Sequence, residues 1–252
     1  MVYNYSMEVH LNHKEEFVAA LDGYYPSDAA IETLRTMPIV IMLSVTGGGR
    51  NTIINKLVET GRYHCIVSDT TRPPKVRNGA LEVDGTNYYF RSEQDVLDDI
   101  KKGLFLEAEV IHGQQVSGIS IRELIRAHDS GKVPINEVDI GGTDAIARIK
   151  PDALFLFIVP PNFDEWMRRL RGRESMSDEE LLNRLKTAVR ILRTVLTSDR
   201  FVFVVNDNLD EVVSTVDDYV RGATHTTHNQ AARTVAAKIL ADIIEHYPQL
   251  VE

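Results

Sequence analysis

The amino-acid sequence predicts an α/β protein whose core is a parallel sheet flanked by helices. Apolar stretches at 39–45 and 153–159 are typical of strands that are buried on both faces. Such strands alternate with segments of helical period along the chain, and this alternation indicates a parallel sheet. The first apolar strand is followed at once by three glycines and a helix, so the fold is expected to be organised around residues 39–57.

The turn formed by Gly47, Gly48 and Gly49 predicts a phosphate-binding loop. Glycine has no Cβ, so an anion can approach the backbone closely. The next helix has apolar residues at helical spacing, and its first N–H groups and positive dipole end would face the turn. An ordinary tight turn is the alternative interpretation.

The phosphate-loop pattern G-x-x-x-x-G-K-[ST] fits this stretch only with changes. With the loop one residue short, Arg50 occupies the lysine position and Asn51 the position of the hydroxyl residue that binds Mg²⁺. A gapless alignment instead places Asn51 and Thr52 there. The first alignment is preferred because the helix after it matches better.

Composition narrows the class of protein. The 252-residue chain has a formal net charge of −9, which argues against a binder of duplex nucleic acid. Cys65 is the only cysteine, so no intrachain disulfide can form, and it is expected to be a small buried side chain in a strand. The N-terminus lacks a basic start and an apolar core, and apolar runs are shorter than the roughly 20 residues of a membrane span. A cytoplasmic protein without a membrane contact is therefore predicted.

Local signals place several helix starts. Serines precede helical segments as expected N-caps: Ser27, Ser92, Ser120 and Ser177. Thr143 is expected to cap a short helix. Helices at 14–21 and 28–36 make residues 1–37 a predicted N-terminal helical extension.

Residues 223–252 are a predicted C-terminal extension around a helix at 229–246. Both extensions are candidates for packing layers or for a homodimer contact. His225 and His228 have the spacing of two metal ligands on a helix, but no third ligand is apparent, so a structural role is favoured.

Polar clusters between the core elements are the candidate binding groups. A turn-rich segment at 68–90 carries cations and hydroxyls that can hold a phosphate: Ser68, Thr70, Thr71, Arg72, Lys75 and Arg77. A solvated hairpin is the simpler alternative. Glu107 and Glu109 lie in an apolar context, where a carboxylate could accept hydrogen bonds from a base edge or merely face solvent on an edge strand.

Two further groups of charged residues follow. Glu137 and Asp139 end a predicted strand, where acidic residues commonly face the ligand crevice of a parallel sheet. The segment 162–198 is rich in arginine: Arg168, Arg169, Arg171, Arg173 and Arg184. Its two helices and their connecting loop have the character of a lid that closes over a ligand, although a solvated face is the simpler alternative.

Residues 39 to about 220 resemble the guanylate kinase family through an ordered series of segments. After the glycine turn come VSDTTRPP, EVDGTNYYF, FLEAEVIHGQQVSG, INEVDIGG, FIVPPNFDEWMRRLRGR with ESMSDEELLNRL, and VVNDNLDE. The resemblance implies a nucleoside-monophosphate-kinase fold over 38–222. Its parallel sheet would be accompanied by a small mixed β region that binds the monophosphate, at about 68–120, and a helical lid, at about 165–190.

The resemblance also implies roles for individual residues. Those expected to bind GMP are Ser68, Arg72, Lys75, Tyr88, Glu107 and Asp139. Among them, Glu107 would accept from the guanine N1–H and exocyclic amine. Those expected to bind ATP are Thr46, Gly47, Gly48, Gly49, Arg50, Asn51, Thr52 and Asn206. Those expected to act on the transferred phosphoryl group are Arg50, Arg169, Arg173 and Arg184. Mg²⁺ would accompany ATP near Asn51 or Thr52.

Three hypotheses follow from this resemblance. The first is a kinase that transfers the γ-phosphoryl group of ATP to GMP, giving ADP and GDP. The second is a catalytically weak or inactive module that binds nucleotide or protein, because Arg50 and Asn51 alter the phosphate loop and because extra helices are predicted at both termini. Val116 is a further departure, since the family has a tyrosine at this place in the guanine-reading segment. The third is a kinase with another monophosphate as acceptor, which a carboxylate at Glu107 disfavours.

Overall fold

A computed structural model of the protein describes residues 10–77, 79–172 and 176–250. These residues form two compact units, which we describe separately. The mixed-sheet unit contains described residues of 10–37, 66–132 and 145–151. The parallel-sheet unit contains those of 38–65, 133–144 and 152–250.

In chain order the strands are β1 (Val40–Ser44), β2 (Tyr63–Cys65), β3 (Asp69–Thr70), β4 (Val76–Arg77), β5 (Ala80–Leu81), β6 (Tyr89–Phe90), β7 (Phe105–Ile111), β8 (Gln115–Ser120), β9 (Val133–Glu137), β10 (Leu154–Val159) and β11 (Val202–Val205). The helices are α1 (Lys14–Leu21), α2 (Asp28–Arg35), α3 (Arg50–Glu59), α4 (Glu93–Lys101), α5 (Ile121–Asp129), α6 (Ile140–Ile149), α7 (Phe163–Arg171), α8 (Asp178–Leu196), α9 (Leu209–Val220) and α10 (Thr226–His246). A 3₁₀ turn at Pro248–Leu250 follows.

The parallel-sheet unit is built on the strand order β11-β10-β1-β9-β2, in which every pair is parallel. Strand β1 is central and all of its residues are buried, as its apolar sequence predicts. Helices α3 and α9 pack on this sheet through a core cluster that includes Ile53, Leu57, Val212 and Val216. The predicted class, a parallel sheet flanked by helices, is confirmed.

Helix α10 covers the edge strand β11 of the same sheet. Its buried side chains are Ala232, Ala236, Ile239 and Ile243. The Asn229 side chain accepts a 2.9 Å hydrogen bond from the backbone N–H of Phe203 on β11. The Arg233 guanidinium lies 4.8 Å from the centre of the Phe203 ring. The predicted C-terminal helix is therefore part of the sheet's packing, and it begins at Thr226 rather than at 229.

The mixed-sheet unit contains a four-stranded sheet in the order β6-β3-β8-β7 and a two-stranded hairpin of β4 and β5. Pairs β7–β8 and β3–β8 are antiparallel, whereas β3–β6 is parallel. Helices α1 and α4 pack on one face through a cluster that includes Phe17, Leu97, Phe105 and Val116. The predicted small mixed β region is confirmed as a separate sheet.

All four predicted serine N-caps accept a hydrogen bond from a backbone N–H of the first helical turn, whereas two local predictions are wrong. Thr143 does not cap α6; Asp139 does, because its Oδ1 accepts from the N–H of Gly142 at 2.8 Å. Thr143 lies inside the helix and donates to the carbonyl oxygen of Ile140. Cys65 lies in a strand but is exposed, because β2 is an edge strand that ends at this residue.

Within the described residues, no helix is long and apolar enough to cross a membrane. The same part of the chain contains no group of three or more His, Cys, Asp or Glu side chains arranged to hold a metal ion. The proposed division into residues 1–37, 38–222 and 223–252 stays a prediction.

Candidate functional site

The glycine turn connects the end of β1 to the start of α3. Gly47 and Gly49 have φ angles of +82° and +97°, which only glycine adopts readily, and Gly49 is the N-cap residue of α3. A Cβ on Gly48 would overlap the Ser44 hydroxyl, and one on Gly49 would overlap the Asn206 side-chain amide. The turn therefore needs its glycines for its own packing and backbone conformation.

Hydrogen bonds from two other elements hold the turn. The Trp166 indole N–H on α7 donates to the carbonyl oxygen of Thr46 at 2.8 Å. The Asn206 amide, which follows β11, donates to the carbonyl oxygen of Gly48 at 2.8 Å. The Arg169 guanidinium on α7 donates to the carbonyl oxygen of Asn206 at 3.1 Å. The arginine-rich helix and the end of β11 are thus fixed to the glycine turn.

A cavity of about 440 Å³ opens beside the turn. Its lining residues include Gly47, Gly49, Thr52, Arg169, Asn206 and Asp207. Glycine backbone, a hydroxyl and a guanidinium are the groups that bind phosphate oxygens. In the described part of the chain, Asn51 is exposed and does not line this cavity.

The remaining predicted phosphoryl-binding arginines have other partners. The Nε of Arg50 lies 3.5 Å from the Glu137 carboxylate at the end of the neighbouring strand β9. Arg184 pairs with Glu180 along α8 and lies outside the lining of the cavity. Arg173 lies outside the described residues.

On α7, Glu165 pairs with two arginines at once. Its carboxylate accepts from Arg168 Nε at 2.6 Å and from Arg169 Nε at 2.7 Å. The hydrogen bonds from Arg168 and then Arg169 lower the pKa of Glu165 to about 2. Arg168 and Arg169 both line the cavity, so Glu165 fixes two cationic residues at its edge.

In the mixed-sheet unit, Arg72 forms a buried ion pair that sequence reasoning missed. Only 3% of Arg72 is exposed, and its Nη1 and Nη2 donate to the two carboxylate oxygens of Glu82 at 2.5 and 3.0 Å. The hydrogen bond to Glu82 is the largest cause of the raised pKa of Arg72. The backbone N–H of Lys75 also donates to Glu82, at 2.9 Å. The only sign of this ion pair in the sequence is that Glu82 lies between Arg72 and Tyr88 in the hairpin segment.

The other predicted GMP-binding residues are placed as follows. The Tyr88 ring lies 4.8 Å from the Arg72 guanidinium, so these two residues are together. Ser68 is half-buried, and its carbonyl oxygen accepts from the N–H of Tyr89. Glu107 is half-buried on β7 in a different cavity of the same unit. Asp139 belongs to the parallel-sheet unit, where it caps α6.

The strand β3 beside Arg72 carries a buried charged cluster. Asp69 is 1% exposed and pairs with Arg91 at 2.8 Å and with Arg122 at 2.7 Å. The hydroxyl of Ser117 on β8 donates to that of Thr70 at 2.8 Å. These contacts fix the strand that precedes Arg72, and none of them was foreseen from the sequence.

Several known proteins similar to this chain are guanylate kinases. A guanylate kinase from Sulfurimonas denitrificans is 33% identical over 184 residues, which cover 72% of this chain and 86% of the relative. One from Corynebacterium glutamicum is 33% identical over 73% of this chain and 95% of the relative. Guanylate kinase 1 of Arabidopsis thaliana is 34% identical over 69% of this chain, but the match spans only 44% of that longer relative.

A solved structure and a family model agree with these relatives. The crystal structure of guanylate kinase from Anaplasma phagocytophilum matches with a TM-score of 0.52, covering 77% of this chain and 89% of that one. Its identity is 24%, so this likeness establishes the fold alone. The family model described as guanylate kinase matches residues 36–223. Together with the relatives above, this match shows that the chain belongs to the guanylate kinase family.

Proposed function

We propose that the chain is an ATP:GMP phosphotransferase that gives ADP and GDP. The observation that carries this proposal is the cavity beside the glycine turn, where Thr52, Arg169 and Asn206 converge on a helix N-terminus. Family membership supports the reaction, and nothing in the comparisons favours the inactive alternative.

The parallel-sheet unit would bind the phosphates of ATP. N–H groups at the start of α3 and the positive end of its dipole favour the β- and γ-phosphates. Arg169 neutralises charge that develops on the transferred group, which is the main requirement of phosphoryl transfer. Arg50 is held by Glu137 at 3.5 Å, so a phosphate competes with that carboxylate for the guanidinium.

Mg²⁺ fits this site through Thr52, whose hydroxyl oxygen is a hard ligand of the kind that Mg²⁺ prefers. When bound, the ion neutralises phosphate charge. Asn51, the other proposed ligand, is exposed and outside the cavity lining, which favours Thr52.

The mixed-sheet unit would bind GMP. The phenol of Tyr88, the hydroxyl of Ser68 and the exposed Lys75 would bind the acceptor phosphate. The Arg72 guanidinium beside Tyr88 is buried and paired with Glu82, so a phosphate would compete with that carboxylate for it. Glu107 accepts hydrogen bonds from the guanine N1–H and exocyclic amine. A carboxylate suits those donors and repels the acceptor-rich edge of other bases.

Release of ADP from Mg-ATP, with and without GMP, AMP, CMP or UMP, tests the proposal. We expect turnover that depends on GMP. A folded sample that binds GMP but releases no ADP with any acceptor would instead be a binding module. A clear preference for AMP would overturn the assignment of Glu107. The cytoplasmic location and the homodimer through the terminal extensions stay predictions.

A further inference from the structure

A second cavity, of about 230 Å³, lies at the open edge of the mixed sheet. The edge strand β7 contributes Leu106 and Glu107, and the last turns of α6 contribute Arg148. Tyr24 and Tyr25, in the turn between α1 and α2, also line it. The N-terminal segment, which the family model does not include, therefore shares a cavity with the predicted guanine-reading carboxylate.

Tyr24 fixes this turn to the strand that carries Glu107. Its hydroxyl donates to the carbonyl oxygen of Phe105 at 2.8 Å and accepts from the N–H of the same residue at 3.0 Å. The register of β7 against β8 shifts between Phe105 and Glu107, so both backbone bonds lie at a β-bulge. A bulge re-aims the side chains that follow it, and Glu107 follows this one directly.

A neighbouring contact makes the attachment rigid. The N–H of Ser27 donates to the carbonyl oxygen of Gly103 at 3.0 Å. A Cβ on Gly103 would overlap the backbone nitrogen of Ser27. The backbone of the turn is therefore packed directly against the backbone that precedes β7. This contact holds Tyr25, which lies between Tyr24 and Ser27, at the cavity.

Two side chains that line this cavity, Tyr25 and Arg148, are exposed. Tyr25 is 55% exposed although it is a large aromatic residue. Arg148 is exposed and, within the described residues, has neither a hydrogen bond nor an ion pair. An aromatic face, a guanidinium and the carboxylate of Glu107 thus line one cavity.

These three groups match the chemistry of guanine. Its N1–H and exocyclic amine are donors that suit a carboxylate, and its O6 and N7 are acceptors that suit the fork of an arginine. Where guanine has the acceptor O6, adenine has an amine donor. An arginine has no acceptor atom and cannot form a hydrogen bond with that amine. Any base can stack on an aromatic ring.

We propose that Tyr25 and Arg148 are specificity-determining residues of the acceptor base site, Tyr25 by stacking on the purine and Arg148 by donating to guanine O6 and N7. This inference rests on the proposed function. Strand β3, which precedes Arg72, is two strands away from β7, about 10 Å at the usual strand spacing of about 4.8 Å. A mononucleotide can reach across that distance from its phosphate to its base.

The test compares GMP, IMP and AMP as ligands and acceptors of the full chain. IMP keeps O6, N7 and N1–H but lacks the exocyclic amine. Arg148→Gln should weaken binding of GMP and IMP by the same factor, on the order of 10-fold to 100-fold, and weaken AMP less, because adenine keeps the N7 acceptor but has no acceptor in place of O6. Glu107→Gln should instead reduce the preference for GMP over IMP. Tyr25→Ala should weaken all three purines about 10-fold, and Tyr25→Phe should restore them.

Arg35→Gln is the matched control, since it removes the same charge from an exposed pair with Glu32 in the same unit. Calorimetry without ATP measures the affinity for each nucleotide and tests the inference. ADP release measures turnover and tests the proposed function, so the inference and the proposed function can fail separately. Unchanged GMP affinity in both Arg148→Gln and Tyr25→Ala would overturn the inference. Equal losses for GMP and AMP in Arg148→Gln would overturn the assignment of Arg148 to O6 and N7.

Discussion

The indole N–H of Trp166 lies 2.8 Å from the carbonyl oxygen of Thr46, to which it donates a hydrogen bond. Trp166 is the only tryptophan of the chain and is fully buried. This bond joins the arginine-rich helix α7 to the start of the glycine turn, so the shape of the turn depends on a side chain 120 residues away.

Trp166→Phe keeps an aromatic ring but removes the donor. We expect a destabilisation of about 0.5–1.5 kcal/mol, because the Thr46 carbonyl loses a hydrogen bond that is only partly buried. The KM for Mg-ATP should rise, while the affinity for GMP should not change. Denaturant unfolding and steady-state kinetics measure both, with Met167→Leu as a volume-conserving control on the same helix. Equal effects of the two substitutions would contradict the role of the indole N–H.

Glu82→Gln removes the charge that balances the buried Arg72. Breaking a buried ion pair by changing one partner costs about 3–5 kcal/mol, because the other charge stays uncompensated. We expect lower stability and weaker GMP binding, measured by denaturant unfolding and calorimetry. Glu59→Gln, which breaks an exposed pair with Lys56, should cost no more than about 1 kcal/mol. The prediction is wrong if the two variants are equally stable.

Tyr24 should make the stability of the protein depend on alkaline pH. Burial raises the pKa of Tyr24 from 10.0 to about 12. The folded state therefore keeps a proton that the unfolded state releases, so stability is complete below about pH 10 and falls as the pH rises toward about 12. The loss is on the order of 1–3 kcal/mol. Unfolding measured from pH 9 to pH 12 should show a flatter dependence in Tyr24→Phe, and parallel curves for both proteins would exclude this source.

Arg169→Ala removes a cation that lines the cavity beside the glycine turn. We expect kcat to fall by on the order of 10³-fold, as for other arginines that neutralise a transferred phosphoryl group, with GMP affinity unchanged. Arg190→Ala on the exposed side of α8 makes the same change of net charge in the same unit and should leave kcat as it is. Normal turnover in Arg169→Ala would remove this residue from the mechanism.

Local rules predicted the helices well because their signals are short-range. Ser92 and Ser120 cap helices through N–H groups three residues away, so the sequence alone contains both partners. The same reasoning named Thr143 as the cap of α6, whereas Asp139 is the residue that caps it. Either side chain can cap, and the position at which the strand ends decides between them.

Contacts between distant residues could not be predicted in the same way. The role of Arg72 was expected, but its partner Glu82 becomes visible only when the hairpin of β4 and β5 folds back. Trp166 and Thr46 are likewise brought together by the fold rather than by spacing. Cys65 looked like a core residue by its chemical type, but its exposure depends on the place of β2 at the edge of the sheet.

Helix α10 has a consequence beyond packing. An edge strand presents unpaired backbone groups that can template pairing with another chain. On β11 the N–H of Phe203 is occupied by the Asn229 side chain, and the helix lies along the strand. The segment after residue 222 therefore protects the β11 edge of the parallel sheet against aggregation through the addition of a strand from another chain.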